Sequence, residues 1–198
     1  MLGSITPLGE RGRGRSWGRT VTAYLIASAS GGATLGALLG SVGHLLAPRG
    51  LSALTAGWIL GGLIVAGVLL DLRAFGLELP TVHRQVNEEW LHRYRGWVYG
   101  VGFGFQLGLG VVTVVTTSAV YLTFLWALVS GSAATGAAIG LGFGALRGAA
   151  ILVVSGVRRP EQLTRVHDRL ARWNPLSKRS SLVALGALGL AALVMGLR

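Results

Sequence analysis

The sequence predicts an all-α integral membrane protein of about five transmembrane helices, and three observations predict it. Between Gly96 and Leu146 the chain runs 51 residues without an Asp, Glu, Lys or Arg. A hydrocarbon core about 30 Å thick is crossed by ~20 apolar residues, so this run holds two crossings and is far too long for a core helix of a soluble protein. The composition agrees: at 52% hydrophobic, 13% charged and a mean hydropathy of +0.60, a chain of 198 residues lacks the polar surface of a soluble domain. The third observation is charge placement. Arg11, Arg13, Arg15 and Arg19 precede the first apolar stretch; Arg73, Arg84, Arg93 and Arg95 lie between the second and third; Arg158, Arg159, Arg165, Arg169, Arg172, Lys178 and Arg179 precede the last. On one side of a bilayer these blocks gather 15 of the 18 Lys and Arg residues, as the positive-inside rule asks of cytoplasmic segments.

The elements follow in order. Residues 1–19, rich in Gly and Arg, read as a disordered basic N-terminus, and residues 20–198 as a single polytopic membrane domain. Apolar stretches run from Thr20 to Ala47, Ser52 to Leu70, Trp97 to Gly156 and Ser180 to Leu197. Three crossings within the third stretch would put the seven-charge block outside, whereas two keep it inside. The expectation is therefore a multi-pass protein of the cell (plasma) membrane, amino terminus cytoplasmic and carboxyl terminus outside, with a turn near Ser130, Gly131 and Ser132. Trp17, Trp90, Trp97, Tyr99 and Trp173 fall near the cytoplasmic boundary, where an aromatic belt belongs. Ala27-Ser28-Ala29 resembles a signal-peptidase site, but the apolar run continues to Leu46, beyond the ~7 to 15 residues of a signal core, so an uncleaved helix is expected. Two linkers carry amphipathic spacing. Val82, Val86, Trp90 and Tyr94 follow Pro80, and Leu163, Val166, Leu170 and Trp173 follow Pro160; both read as helices in the membrane interface, with solvated loops as the alternative.

With two crossings in the third stretch, its first helix runs from about Trp97 to Leu128, roughly 46 Å in a core of about 30 Å. Steep tilt absorbs part of that length, and a break absorbs the rest. Gly108 and Gly110 are followed by seven β-branched residues, Val111 to Thr117, which are stiff at χ1 and mediocre helix formers. Thr113, Thr116, Thr117 and Ser118 supply hydroxyls for backbone groups freed at such a break, where transporters build binding sites. A continuous tilted helix is the alternative. Arg147 is the leading site residue: it lies ten residues before Val157, and no Asp or Glu falls inside any expected span to pair with it. Carbonyls, Gln106, the threonine hydroxyls, water or a bound anion must then satisfy it, unless it only clamps a broken helix. The expected substrate-binding set is Arg147, Gln106, Thr113, Thr116, Thr117 and Ser118.

Glycine, at 32 residues, recurs every fourth position in three sets: Gly32, Gly36 and Gly40; Gly100, Gly104 and Gly108; Gly136, Gly140 and Gly144. Small residues at this spacing let membrane helices approach closely, within one bundle or across a homodimer. The chain has no cysteine, which excludes disulfides, thiol redox chemistry and thiolate-bound metal. His44, His83, His92 and His167 are too scattered for a metal site, and Asp71, Glu78, Glu88, Glu89, Glu161 and Asp168 form no metal or acid–base motif, so neither a cofactor nor an enzyme is expected. A formal charge of +11 spread in this way encodes orientation and attraction to anionic lipid at the cytoplasmic face, and not nucleic acid.

Sliding the chain by 100 residues aligns Ala27, Ser30, Gly31, Ala33, Gly36, Ala37 and Gly40 with Ala127, Ser130, Gly131, Ala133, Gly136, Ala137 and Gly140, as a degenerate inverted repeat would. Gly102-Phe103-Gly104-Phe105-Gln106-Leu107-Gly108, the Thr113 to Thr117 region, the Ser130 turn and the Gly136 to Gly144 helix resemble the second half of the membrane domain of DsbD/CcdA-type proteins, in the broader LysE-like group. The resemblance covers about residues 96–197 and implies a bundle of inverted three-helix repeats in a cysteine-less relative; the paired cysteines of that family are absent here, so no redox residue carries over. The functional expectation is a membrane protein of transporter-like architecture that binds or moves a small, anionic solute. The alternative is a non-catalytic subunit or scaffold of a larger membrane complex.

Overall fold

A computed structural model describes residues 5–48, 50–72, 93–110, 118–159, 161–162 and 164–165. Among these residues the structure is all-helical, with six α-helices and no strand. The segment α1 (Pro7–Gly12) starts on a legible signal: the Thr6 hydroxyl accepts the Gly9 N–H at 3.0 Å, and Pro7 occupies the first turn, where its missing N–H costs nothing. Helix α2 (Trp17–Leu46) follows and stops just ahead of Pro48, which restricts the residue before it to extended backbone. Helix α3 (Ala53–Asp71) is capped by the Ser52 hydroxyl, which accepts the Thr55 N–H at 3.1 Å. Helix α4 (Gly96–Leu109) ends at Gly110, whose φ of 70° is left-handed and halts the helical path. Helix α5 (Ala119–Val129) and helix α6 (Ala133–Ala149) flank a turn at Ser130, Gly131 and Ser132, with Gly131 at φ 56°, and a 3-10 segment, Ala150–Val154, extends α6.

Helix α2 is the axis of the bundle. Its register with α4 is parallel: Gly100 lies on the Thr20 carbonyl, Gly104 on that of Tyr24 and Gly108 on that of Ser28. Its register with α6 is antiparallel, with Gly144 on the Ser28 carbonyl, Gly140 on that of Gly32 and Gly136 on that of Gly36. A Cβ added at any of these six glycines would stand 2.0–2.6 Å from a carbonyl oxygen, so the two seams exist only because the side chain is absent. Gly32, Gly36 and Gly40 complete the α2 side of the second seam, where an added Cβ would meet Gly140, Gly136 and Ser132 oxygens at 2.1–2.2 Å. One hydrogen bond crosses it, from the Ser28 hydroxyl to the Gly144 carbonyl at 2.7 Å.

This packing inverts the soluble pattern. The buried residues of α6 are Gly136, Gly140, Gly144 and Gly148, while Ile26, Leu38, Leu45 and Leu46 of α2, Leu54 and Trp58 of α3, and Leu141 and Leu146 of α6 are exposed. Large apolar side chains outside and glycine inside are the pattern that suits helices packed in lipid. Among the described residues three helices, Trp17–Leu46, Leu54–Asp71 and Ala133–Val154, are long and apolar enough to cross a membrane.

Large buried apolar side chains collect at one end instead, where Ile5, Val21, Tyr24, Tyr99, Phe103, Ile151, Val154 and Val157 form a cluster with Trp17 packed against it. The parallel and antiparallel registers bring the start of α2, the start of α4 and the chain after α6 to this end. Arg11, Arg13, Arg15, Arg19, Arg93, Arg95, Arg158 and Arg159 therefore gather around it.

Two expectations change. The disordered N-terminus is ordered from residue 5: Ile5, Thr6 and Glu10 are buried, because α1 folds back onto the bundle end. The 100-residue repeat is not a structural one, since Ala27–Gly40 is continuous helix while Ala127–Gly140 contains the turn at Gly131; its shared glycines are two sides of one seam, and Gly36 and Gly136 face each other. The stretch from Trp97 to Leu128 carries two helices, α4 and α5, and the chain leaves helical geometry at Gly110, where the sequence suggested a break. The two amphipathic linkers and the Ser180 to Leu197 stretch lie wholly or largely outside the described residues.

Candidate functional site

Residues of α5 and α6 line an open groove of about 740 Å³. Its lining includes Ala119, Thr123 and Trp126 from α5 and Ala138, Gly142, Phe143 and Leu146 from α6. Gly142 differs from the seam glycines, because a Cβ there would meet nothing within 4 Å. Phe143 is fixed by an edge-on contact with Phe124 at 4.9 Å. One turn further along, Arg147 lays its guanidinium over the Phe143 ring, 5.6 Å from the centroid, and closes one end of the groove with a positive charge. The spacing of four residues puts ring and cation on one face of α6.

Of the expected site residues Arg147, Gln106 and Ser118 are described, and neither Gln106 nor Ser118 lines the groove with Arg147. Gln106 is half-buried on α4 and is not part of the groove. Ser118 is buried but turns to Asp71 at the end of α3: its N–H donates to one carboxylate oxygen and its hydroxyl to the other, each at 2.8 Å. Asp71 thus caps the N-terminus of α5, where the helix dipole favours a negative charge. Thr113, Thr116 and Thr117 lie outside the described residues.

A second polar centre, unforeseen in the sequence reading, sits at the basic end. Glu10 is fully buried and receives hydrogen bonds from the Thr20 hydroxyl at 2.7 Å, from Arg13 at 2.8 Å and from the Tyr99 hydroxyl. Arg15 lies 5.4 Å above the Tyr99 ring. Gly96 permits the approach, since a Cβ there would stand 2.4 Å from the Thr20 oxygen. Burial pushes the Glu10 carboxyl up, but the hydrogen bonds from Tyr99, Arg13 and Thr20 and the Arg13 charge outweigh it and hold its pKa below the usual value. The signal was present: Thr6-Pro7 is a helix start, and Glu10 is the only acid before Asp71, set among four arginines. Asp71 offered a weaker signal, a lone carboxylate ending an apolar stretch.

No family model matches the chain, and no solved structure matches it significantly. Curated proteins do. The chain is 32% identical over 143 residues to the methylamine utilization protein MauF of Paracoccus versutus, a match covering 69% of this chain and 51% of that protein. It is 29% identical over 199 residues to MauF of Methylophilus methylotrophus, covering 98% of this chain and 67% of that one. MauF of Methylobacillus flagellatus is 28% identical over 182 residues, covering 90% and 62%. The similarity is to MauF proteins. The chain spans about half to two thirds of the length of these relatives. The resemblance to DsbD/CcdA-type and LysE-like proteins is thereby corrected. It rested on glycine spacing, and that spacing has a local cause in the seams of α2 with α4 and α6.

Proposed function

We propose that the chain is a multi-pass protein of the cell membrane, of transporter-like architecture, that binds or moves a small anionic solute at Arg147 and serves methylamine utilization. The inverted packing supports the membrane placement, and the gathering of eight arginines at one bundle end supports a cytoplasmic amino terminus. In this reading α4 and α5 together make one interrupted crossing, and Ser180 to Leu197 supplies a fifth. The shared name of the relatives supports the metabolic context.

The observation that carries the ligand class is the guanidinium at the end of an apolar groove. A cation in such surroundings draws an anion more strongly than it would in water, because little solvent screens it. Reconstitution into vesicles with labelled acetate or phosphate tests the proposal. Arg147→Leu lowers uptake at least about tenfold, the worth of one charge-assisted contact, and Arg147→Lys keeps part of it. Unchanged uptake in a folded Arg147→Leu protein removes the solute site. In that case, recovery of a defined larger complex in mild detergent would point to the membrane-subunit reading instead.

A further inference from the structure

Arg147 stands inside the apolar belt. The register of α2 with α6 sets Gly144 at Ser28, which puts Arg147 level with Leu25; the register of α2 with α4 sets Gly100 at Thr20, which puts Trp97 level with Trp17. Exposed apolar residues continue past Arg147 toward the basic end, with Trp97 and Val101 on α4 and Leu152 and Val153 after α6. The rise of α2 from Trp17 to Leu25 places Arg147 ~12 Å inside the edge that Trp97 marks. The guanidinium does not turn toward that edge but lies back over Phe143 and lines the groove. A cation at this depth needs protein or water beside it, because hydrocarbon offers a guanidinium neither an acceptor nor screening. The groove is open, and Trp126 and Leu146 in its lining are exposed, so a further element has to cover it.

One segment of the chain has the length, the polarity and the starting point to do so. The chain leaves the 3-10 segment at the basic end, where Val157 is buried in the end cluster. Ser180 to Leu197, outside the described residues, contains no Asp, Glu, Lys or Arg. As a helix it would rise about 27 Å, close to the ~30 Å of a hydrocarbon core. Residues 158–179 tie its start to the end of α6, so a crossing from there runs antiparallel to α6 as its neighbour in the chain. Ala184, Ala187, Ala191 and Met195 recur at spacings of three and four and share one helical face, three small side chains and one adaptable one. A second copy of the chain suits the groove less well. A two-fold axis along the membrane normal would set Arg147 opposite its own copy, and like charges repel strongly where the dielectric constant is low.

We propose that Ser180 to Leu197 packs into the α5–α6 groove, with its Ala184, Ala187, Ala191 and Met195 face over Gly142 and Phe143, and encloses Arg147 within the bundle. The inference rests on the five-crossing reading and not on which solute binds. Gly142 is then a clearance for side chains of this segment, in contrast to the seam glycines, which are clearances for a neighbouring backbone.

Because the chain has no cysteine, paired cysteines test the contact in the full-length protein in its membrane. A short bifunctional thiol reagent is added, and trypsin then cuts the arginine-rich linker of residues 158–179 in inverted vesicles. A carboxyl-terminal epitope tag shows on a non-reducing gel whether the last fragment stays joined to the rest. The proposal predicts joined fragments for Gly142→Cys with Ala191→Cys and for Ala138→Cys with Met195→Cys. It predicts separate fragments for Gly142→Cys with Leu193→Cys, which lies at a similar depth on the opposite helical face. Separate fragments in both of the first two pairs, or equal joining through Leu193→Cys, overturn the proposal. So does a product of twice the chain mass from Gly142→Cys alone, which would place a second copy in the groove. Labelling of Arg198→Cys by an impermeant maleimide separates two failures. If it is reached only in right-side-out vesicles while the pairs stay separate, the crossing stands and its docking fails; if it is reached only in inverted vesicles, the five-crossing reading fails as well.

Discussion

Two faces of α6 carry the same residue type with opposite consequences. On the α2 face, Gly136, Gly140 and Gly144 hold two backbones so close that a Cβ would overlap a carbonyl oxygen. On the α5 face, Gly142 borders open space. The contrast teaches that glycine content in a membrane helix says little until its face is known: one set makes a seam, the other leaves a trough. A helix interior gives no propensity reason for either, since glycine costs about 1 kcal/mol relative to alanine there. Each is retained for what packs against it, or for what is left free to do so.

The largest effect follows from breaking the seam. Gly140→Ala places a methyl 2.0 Å from the Gly32 oxygen, and the obstacle is backbone, which cannot rotate away. The helices must separate, at about 3 kcal/mol or more, and thermal unfolding in detergent falls accordingly. Gly142→Ala is the matched control. It meets no atom within 4 Å, so it leaves stability unchanged or raises it by up to about 1 kcal/mol. A similar loss in both variants would erase the distinction between the faces.

The basic end provides the next effect. Glu10→Ala strands the Thr20, Arg13 and Tyr99 donors in a buried site and costs about 2–4 kcal/mol of α1 docking, read as faster tryptic cleavage at Arg11 and Arg13. Because the folded-state pKa of Glu10 lies below its ordinary value, its contribution is complete above the ordinary carboxylate range and is lost as pH falls through the folded value. Acid therefore loosens α1 in the parent and has no such effect in Glu10→Gln, a difference that pH-dependent cleavage measures. A smaller change comes from Asp71→Asn, which weakens two charge-assisted hydrogen bonds to Ser118 by about 1–2 kcal/mol and speeds amide exchange in the first turn of α5.

Much of this arrangement was legible in the sequence because long apolar helices leave a long-period signal. The charge-free run and the Ser130 turn anticipated the helical class and the two helices that flank the turn, and the caps at Ser52 and Ser132 follow ordinary start rules. Arg147 stood out because a charge interrupts an apolar helix. What stayed hidden depended on distance in three dimensions. Glu10 sat within a segment whose composition reads as disordered, and its order comes from Thr20 and Tyr99, which are far along the chain. Asp71 and Ser118 are separated by 47 positions and nothing local links them. The sequence weighed one role for all the small residues, and the faces of α6 had to be seen before Gly142 could be separated from Gly140.

The central claim is that lipid surrounds this bundle with its arginine-rich end in the cytoplasm, and the absence of native cysteine makes one measurement decisive. Single cysteines at Arg95, Arg158 and Gly50 are exposed to a membrane-impermeant maleimide in right-side-out and inverted vesicles. Labelling of Arg95→Cys and Arg158→Cys only in inverted vesicles, and of Gly50→Cys only in right-side-out vesicles, is the predicted result. Labelling of Arg95→Cys and Arg158→Cys from opposite sides, or of all three from one side, would contradict it.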